Sequence, residues 1–141
     1  MKAVNPYLNF PGNTEEAFNF YKSAFGGEFA SVVRFKDSPE AANTPQEDQN
    51  KLMHISLPIG KGNVLMGTDS LESKGHKLNA GNNFHLSLST DSDAETEKLF
   101  TALSAGGKVM VPLAKQFWGS YFGMFTDKFG VQWMISHDQN N

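Results

Sequence analysis

The sequence predicts an α+β fold built from two tandem βαβββ modules. Three observations carry that expectation: two capped amphipathic stretches that each end in Gly-Gly, an 80-residue offset that superposes them, and alternating apolar runs flanking both in the same order. The offset lays Gly26-Gly27 on Gly106-Gly107, Leu8 on Leu88 and Asn13 on Asp93. A unit repeated at this size implies two similar modules sharing one sheet or cleft.

The elements follow in chain order. Alternation over Val4 to Phe10 predicts a strand. Thr14 to Phe25 reads as a helix, with Asn13 as its cap and Glu16 completing a capping box. Ala17, Phe18, Tyr21, Ala24 and Phe25 form its apolar stripe, and Gly26-Gly27 stops it. Three β-like runs come next, Phe29 to Phe35, Leu52 to Ile59 and Asn63 to Gly67, with Gly60 to Asn63 as a hairpin turn. The polar, proline-containing insert Asp37 to Lys51 reads as a mobile loop, and Leu71 to Asn83 as a linker.

The second module repeats the pattern. Phe84 to Ser89 is a strand, and Asp93 to Ala105 a helix capped by Ser92, with Glu95 at the box position and Leu99 and Leu103 on the stripe. Strands are expected over Lys108 to Val111, Tyr121 to Thr126 and Val131 to Ser136. Neither connecting segment is long enough to separate independent domains. The chain therefore reads as one domain, 1–141, with modules at about 1–70 and 84–137.

Composition narrows the function classes. The 141 residues suffice to bury a core without staples. A net charge of −3 offers no basic footprint for nucleic acid. No run approaches the roughly 18 apolar residues of a spanning helix, so no membrane partner is expected. The opening MKAVNPYLNFPG lacks the continuous apolar segment of a secretory signal and reads as mature protein, with the cytoplasm as the default location. Without cysteine there is no disulfide framework, thiolate zinc site or cysteine nucleophile.

Three stretches, PYLNFPGNTEEAFNFYKSAFGGE, HISLPIGKGNVLMGTD and FWGSYFGMFTDKFGVQWMI, together with the doubled βαβββ pattern, resemble the vicinal oxygen chelate superfamily of glyoxalase I, bleomycin-resistance proteins and extradiol dioxygenases. Within it the chain is most similar to the PhnB-like group, over nearly its whole length. The resemblance implies a cupped mixed sheet with helices on the outside, and a homodimer.

Metalloenzymes of that superfamily place one ligand on the first and one on the last strand of each module. Alternation assigns Val4, Leu8 and Phe10 to the helix-covered face and leaves Asn5, Tyr7 and Asn9 facing the cup. In the second module Phe84, Leu86 and Leu88 face the helix, leaving His85, Ser87 and Ser89 inward. Asn5 and His85 are related by the repeat, and aligning Gly62 with Gly130 sets Met66 opposite Met134. The quartet implied by resemblance is thus Asn5, Met66, His85 and Met134. One imidazole, two thioethers and no carboxylate suit Cu(I) better than Zn, Ni, Mn or Fe(II), so neither metal nor other cofactor is expected.

His54, opposite Met53, Ile55 and Leu57 on its strand, also faces the cup, although a strand histidine is more often simply bonded to a neighbour. His76, in a glycine-flanked polar loop, and His137, at the end of the last strand, read as solvent-facing, with His137 also placed where it could touch the rim. No nucleophile elbow, Walker loop, zincin motif or dinucleotide fingerprint occurs. Ser87 and His85 share a strand without an orienting acid and are no nucleophile–base pair. The PhnB-like group sometimes carries a methyltransferase label linked to ubiquinone synthesis, but no glycine-rich nucleotide loop or acidic ribose partner is identifiable in this sequence.

The aromatic stretch from Phe117 to Ile135 divides into two strands joined by a type I turn, Asp127 to Gly130. Trp133 falls on the core face, whereas Phe117 and Trp118, ahead of Gly119, fall in a loop near the cup's mouth, suited to a ligand or a dimer partner. The candidate ligand pocket is Asn5, Tyr7, Asn9, His54, Met66, His85, Phe117, Trp118 and Met134. Small-molecule binding is the leading function. An enzyme, either metal-dependent and lyase- or dioxygenase-like or using His85 as a metal-free general base, is the second, and a ligand-free dimeric scaffold the third.

Overall fold

The computed structural model describes residues 1–138. The chain divides into two compact units, Met1–Asn79 and Ala80–Asn141. In the first, β1 (Tyr7–Phe10), α1 (Thr14–Phe25), β2 (Ser31–Arg34), β3 (Leu52–Ile59) and β4 (Asn63–Asp69) form a sheet in the order β1-β4-β3-β2. In the second, β5 (Leu86–Ser89), α2 (Asp93–Ser104), β6 (Lys108–Lys115), β7 (Ser120–Thr126) and β8 (Gln132–Asp138) repeat it as β5-β8-β7-β6. In each unit the first strand runs parallel to the last and the other pairs are antiparallel. The doubled βαβββ expectation holds.

Strand limits differ where side chains replace backbone partners. Val4 is 82% and Phe84 54% exposed, so neither lies under a helix as alternation implied. Pro6 has no N–H to give, and the side chain of Asn5 accepts from Val64 N at 3.1 Å ahead of β1. Ahead of β5 the Phe84 carbonyl accepts from the Gln132 side chain. The ladder cannot extend through residues whose partners are already side chains. β6, expected to stop at Val111, continues to Lys115 through two register shifts. It is an edge strand, which tolerates Pro112.

Each helix covers one face of its own sheet. α1 buries Ala17, Phe18, Tyr21 and Ala24, with Phe18 edge-on to both Phe10 and Tyr21. α2 buries Thr96, Phe100 and Leu103, while Leu99 is only half-buried, so its stripe is rotated from the expected one. Thr96 tolerates burial because its hydroxyl is satisfied, donating to Ser92 O at 2.8 Å. Trp133, Ile135 and Phe125 lie beneath α2, fully buried as expected for Trp133.

The central row of each sheet pairs one isoleucine with one glycine: Ile55 with Gly67 on β3–β4, and Gly123 with Ile135 on β7–β8. A Cβ added at Gly67 would lie 2.6 Å from Phe18 Cε1, and one at Gly123 2.5 Å from Phe100 Cε2. Both glycines are needed because a helix aromatic occupies the space a side chain would take. The strand that supplies the glycine differs between the units.

The helix starts depart from expectation in instructive ways. Asn13 makes no side-chain cap bond, and its Oδ1 is buried without a partner among the described residues. Asp69, 2% exposed at the end of β4, serves instead. Its Oδ1 accepts from Thr14 N (3.0 Å) and Thr14 Oγ1 (2.6 Å), and its Oδ2 from Leu52 N (2.7 Å). One carboxylate thus joins α1, β3 and β4, with its charge at the helix end that favours an anion. At α2, Ser92 caps Glu95 N as expected, but Glu95 closes the box on Asp91 N rather than on Ser92.

The Asp37–Lys51 insert is not an open loop. It folds into single 3-10 turns at Ala41–Asn43 and Gln46–Asp48, preceded by one at Phe35–Asp37 over the buried Phe35. Gln49 Nε2 donates to Ala41 O and Thr44 O, and buried Asp48 accepts from Lys51 Nζ (2.8 Å) and Ser73 Oγ (2.7 Å). The polar composition that reads as loop is consumed internally. It also ties down the Leu71–Lys74 part of the expected linker, where Leu71 is buried. The Asp127–Gly130 turn forms as expected, and the Asp127 carboxylate additionally takes Phe129 N, Val131 N and Trp133 Nε1.

Asp69→Ala strands three donors at once and is expected to lower the unfolding free energy by about 3–5 kcal/mol, with Asp69→Asn intermediate, measured by urea denaturation. Lys51 first, then Ser73, hold the Asp48 carboxyl below the usual range. A depressed folded value means stabilisation present above about pH 4 and lost as pH falls through the folded value. Asp48→Asn is therefore expected to be less stable than the parent at neutral pH, with the gap closing on acidification in pH-dependent denaturation curves.

Candidate functional site

Strand register assigns the face of each sheet turned away from its helix. In the first unit Tyr7 pairs with Met66, Met66 with Ser56 and Ser56 with Ser31; Asn9 pairs with Thr68, and His54 with Val33. Leu8, Phe10, Ile55, Leu57 and Leu65 occupy the helix side. The open side therefore gathers Tyr7, Asn9, His54 and Met66, four of the residues expected in the pocket.

Tyr7 Oη and His54 Nδ1 lie 3.1 Å apart, with ring centroids separated by 5.7 Å at 33°. The bond to a neighbour anticipated for His54 thus exists, and the neighbour is itself a pocket candidate. Burial pushes the Tyr7 hydroxyl above the ordinary phenol value, opposed by Thr68. Thr68 directs its own proton to Met53 O at 2.7 Å. Tyr7 is 46% exposed, so the pair is open to a ligand. Asn5 stands apart from this group, half-buried ahead of β1 with its side-chain oxygen committed to Val64 N.

In the second unit Ser87 and Met124 both pair with Met134, and Ser89 and Phe122 with Ser136, which defines the open side. Met134 is half-buried there. His85 precedes β5, half-buried, and has no hydrogen-bond partner among the described residues. Phe117 and Trp118 sit at the β6–β7 hairpin tip, 97% and 54% exposed. Gln116 N–Ser120 O (2.8 Å) and Gly119 N–Gln116 O (3.0 Å) close that tip, with Gly119 at φ 95° where a side chain would be strained. Trp118 meets Phe122 edge-on at 6.0 Å and so extends the open side, whereas Phe117 points into solvent against Trp118 alone.

His76 is exposed as expected, although its Nδ1 accepts from Leu71 N. His137 is not simply solvent-facing: its Nδ1 lies 2.9 Å from Asp93 Oδ1 and only 21% of its side chain is exposed. Lys115 Nζ reaches the other Asp93 oxygen at 2.6 Å and lies over the Tyr121 ring, whose hydroxyl donates to Glu97. Lys115 and then His137 hold the Asp93 carboxyl below the usual range, and Glu97 pushes the Tyr121 hydroxyl up. This rim network clamps the start of α2 to β6 and β8. Sequence reasoning missed it because Asp93 and His137 are 44 residues apart and no local pattern links them.

The metal quartet implied by resemblance fails on its chemistry. Asn5 already spends its oxygen on Val64, leaving one imidazole and two thioethers without a carboxylate. That set does not fit the borderline divalent ions that such sites hold.

Among the described residues no helix is long and apolar enough to cross a membrane. Residues 4–135 match the profile of the Glyoxalase/Bleomycin resistance protein/Dioxygenase superfamily. Protein YjdN of Escherichia coli K12 is 30% identical over 94% of this chain and 93% of its own length. The crystal structure of PA1353 from Pseudomonas aeruginosa superposes with a TM-score of 0.84 at 40% identity, covering 96% of both chains. A PhnB protein from Bacillus cereus gives 0.75 at 26% identity, over 95% of this chain and 98% of that one. With the doubled βαβββ sheets already in view, the chain belongs to the glyoxalase/bleomycin resistance protein/dioxygenase superfamily.

Proposed function

We propose that the chain binds a small organic molecule on the open sides of its sheets and does so without a catalytic metal. The observation that carries this reading is the open side of the first sheet, where the Tyr7–His54 pair stands beside Asn9 and Met66. A few hydrogen-bonding groups set among adaptable, polarizable side chains are what small-ligand sites use to combine orientation with fit. Met134 and Trp118 offer the same softness in the second unit. The reading includes a homodimer, by family likeness, with exposed Met110 and Phe117 as apolar surface that a second copy would cover, and the cytoplasm as the default location.

Native mass spectrometry of protein purified without chelators tests the parts together. A dimer mass, no stoichiometric metal and a small-molecule adduct from a metabolite mixture are expected. The ε-methyl NMR signals of Met66 and Met134 should shift with the compound that binds; if no compound moves either signal, the binding reading fails, and a stoichiometric metal ion removes its metal-free part.

A second reading, a metal-free enzyme with His85 as general base, is favoured by that half-buried imidazole standing without a partner among the described residues. Here His85→Ala should abolish a detected turnover while leaving the melting temperature nearly unchanged. Retained turnover would exclude the role.

A further inference from the structure

The open side of the first sheet is unusual in its charges. Tyr7 and Asn9 come from β1, Met66 and Thr68 from β4, His54 and Ser56 from β3, and Ser31 and Val33 from β2. None carries a fixed charge. The ionic groups of the flanking segments are spent elsewhere. Arg34, on the helix side, pairs with Glu15 at 2.7 Å; Lys51 pairs with Asp48; and Asp69 is bound to Thr14 and Leu52. Among the described strand residues that register assigns to that face, His54 is the one able to supply a positive charge.

We infer that the Tyr7–His54 pair is the recognition point for a singly ionised organic acid, whose carboxylate or enolate oxygen is matched by one proton taken up on His54. This rests on the small-molecule reading above and names the ligand class for it. With the imidazole neutral, Tyr7 donates to Nδ1 and the pair presents Nε2–H alone. With the imidazolium, Nδ1–H donates to the Tyr7 oxygen, Nε2–H faces the ligand, and the Tyr7 hydroxyl proton joins it where the ligand oxygen displaces Thr68 as acceptor. The anion thus meets two donors and one positive charge. The acid enters as its anion, the ring takes one proton from solvent, and no covalent bond forms or breaks. The Tyr7 hydroxyl is protonated at neutral pH as any phenol is, and burial moves it further in that direction, so it remains a donor. Among the described strand residues on this side there is no arginine, lysine or carboxylate, so a dianion such as a phosphate would remain half uncompensated and an amine would lack a counter-charge.

The linkage has a definite sign. Binding that requires the imidazolium is strongest at low pH and weakens as pH rises through the range, about 5 to 8, in which imidazoles lose their proton. Benzoate and benzamide are matched probes differing in charge, and the Met66 ε-methyl signal reports occupancy. The expected result is a benzoate Kd that rises by up to about tenfold per pH unit on the alkaline side, with benzamide weaker and independent of pH. His54→Gln, which keeps an acceptor for Tyr7 but cannot take the charge, should flatten the benzoate profile with an unchanged melting temperature. A flat profile in the parent protein, or a slope surviving in His54→Gln, overturns the inference. If other compounds move the Met66 signal and benzoate does not, acid recognition is wrong while small-molecule binding stands. If no compound moves it, both fall.

Discussion

A single buried carboxylate fixes the geometry of the first unit. Asp69 ends β4, receives the first amide of α1 and holds the first amide of β3. Those two contacts bring together segments separated by 55 and 17 residues, and they determine where α1 starts and therefore which of its faces meets the sheet. Because Phe18 is carried into the space above Gly67 by that placement, the opposite side of the same strands is left for Tyr7, His54 and Met66. The candidate site is a by-product of how its back is anchored. Asp127 performs a comparable task in the second unit, holding two turn amides and the indole of Trp133. In both units a buried carboxyl side chain is tolerated because each of its oxygens faces N–H or O–H donors.

How much of this was legible in the sequence depends on the range of the interaction that writes it. The helices were legible because stripes and Gly-Gly stops are local, and α1 spans the expected Thr14 to Phe25. The alternation that separates Leu8 and Phe10 from Tyr7 and Asn9 was legible too, since strand periodicity needs no knowledge of the partner. Caps chosen over a distance were not. Asn13 has the right chemistry at the right position, yet Asp69, 55 residues from Thr14, takes the bond. The internal bonding of the Asp37–Lys51 loop was illegible for a related reason: nothing local shows that Asp48 meets Ser73 and that Gln49 meets the Thr44 carbonyl.

The site was half legible. Alternation set Tyr7 and His54 toward the cup, and Met66 was placed with them by the Gly62–Gly130 alignment and the family resemblance. The hydrogen-bonded dyad was not legible, because Tyr7 and His54 lie 47 residues apart on strands that are not neighbours in the sheet. Asn5 illustrates the reverse. Its position matched a ligand position by resemblance, while its side chain completes a strand ladder beside a proline that cannot. Family-level correspondence transfers positions, and the local backbone decides what a side chain at that position is free to do.

The exchanged glycines in the central rows have a consequence for how a chain with an internal repeat avoids confusing its own halves. Paired correctly, each row holds one isoleucine and one glycine beneath one aromatic ring. A strand borrowed from the wrong half spoils that match: β3 against β8 would set Ile55 beside Ile135 with no room for the ring, and β4 against β7 would set Gly67 beside Gly123 over a void. Overpacking of this kind costs about 1–3 kcal/mol and an unfilled gap a comparable amount. Duplicated modules are prone to misassembly while folding, and here two residues per sheet act as a size-based lock and key that sorts one half from the other.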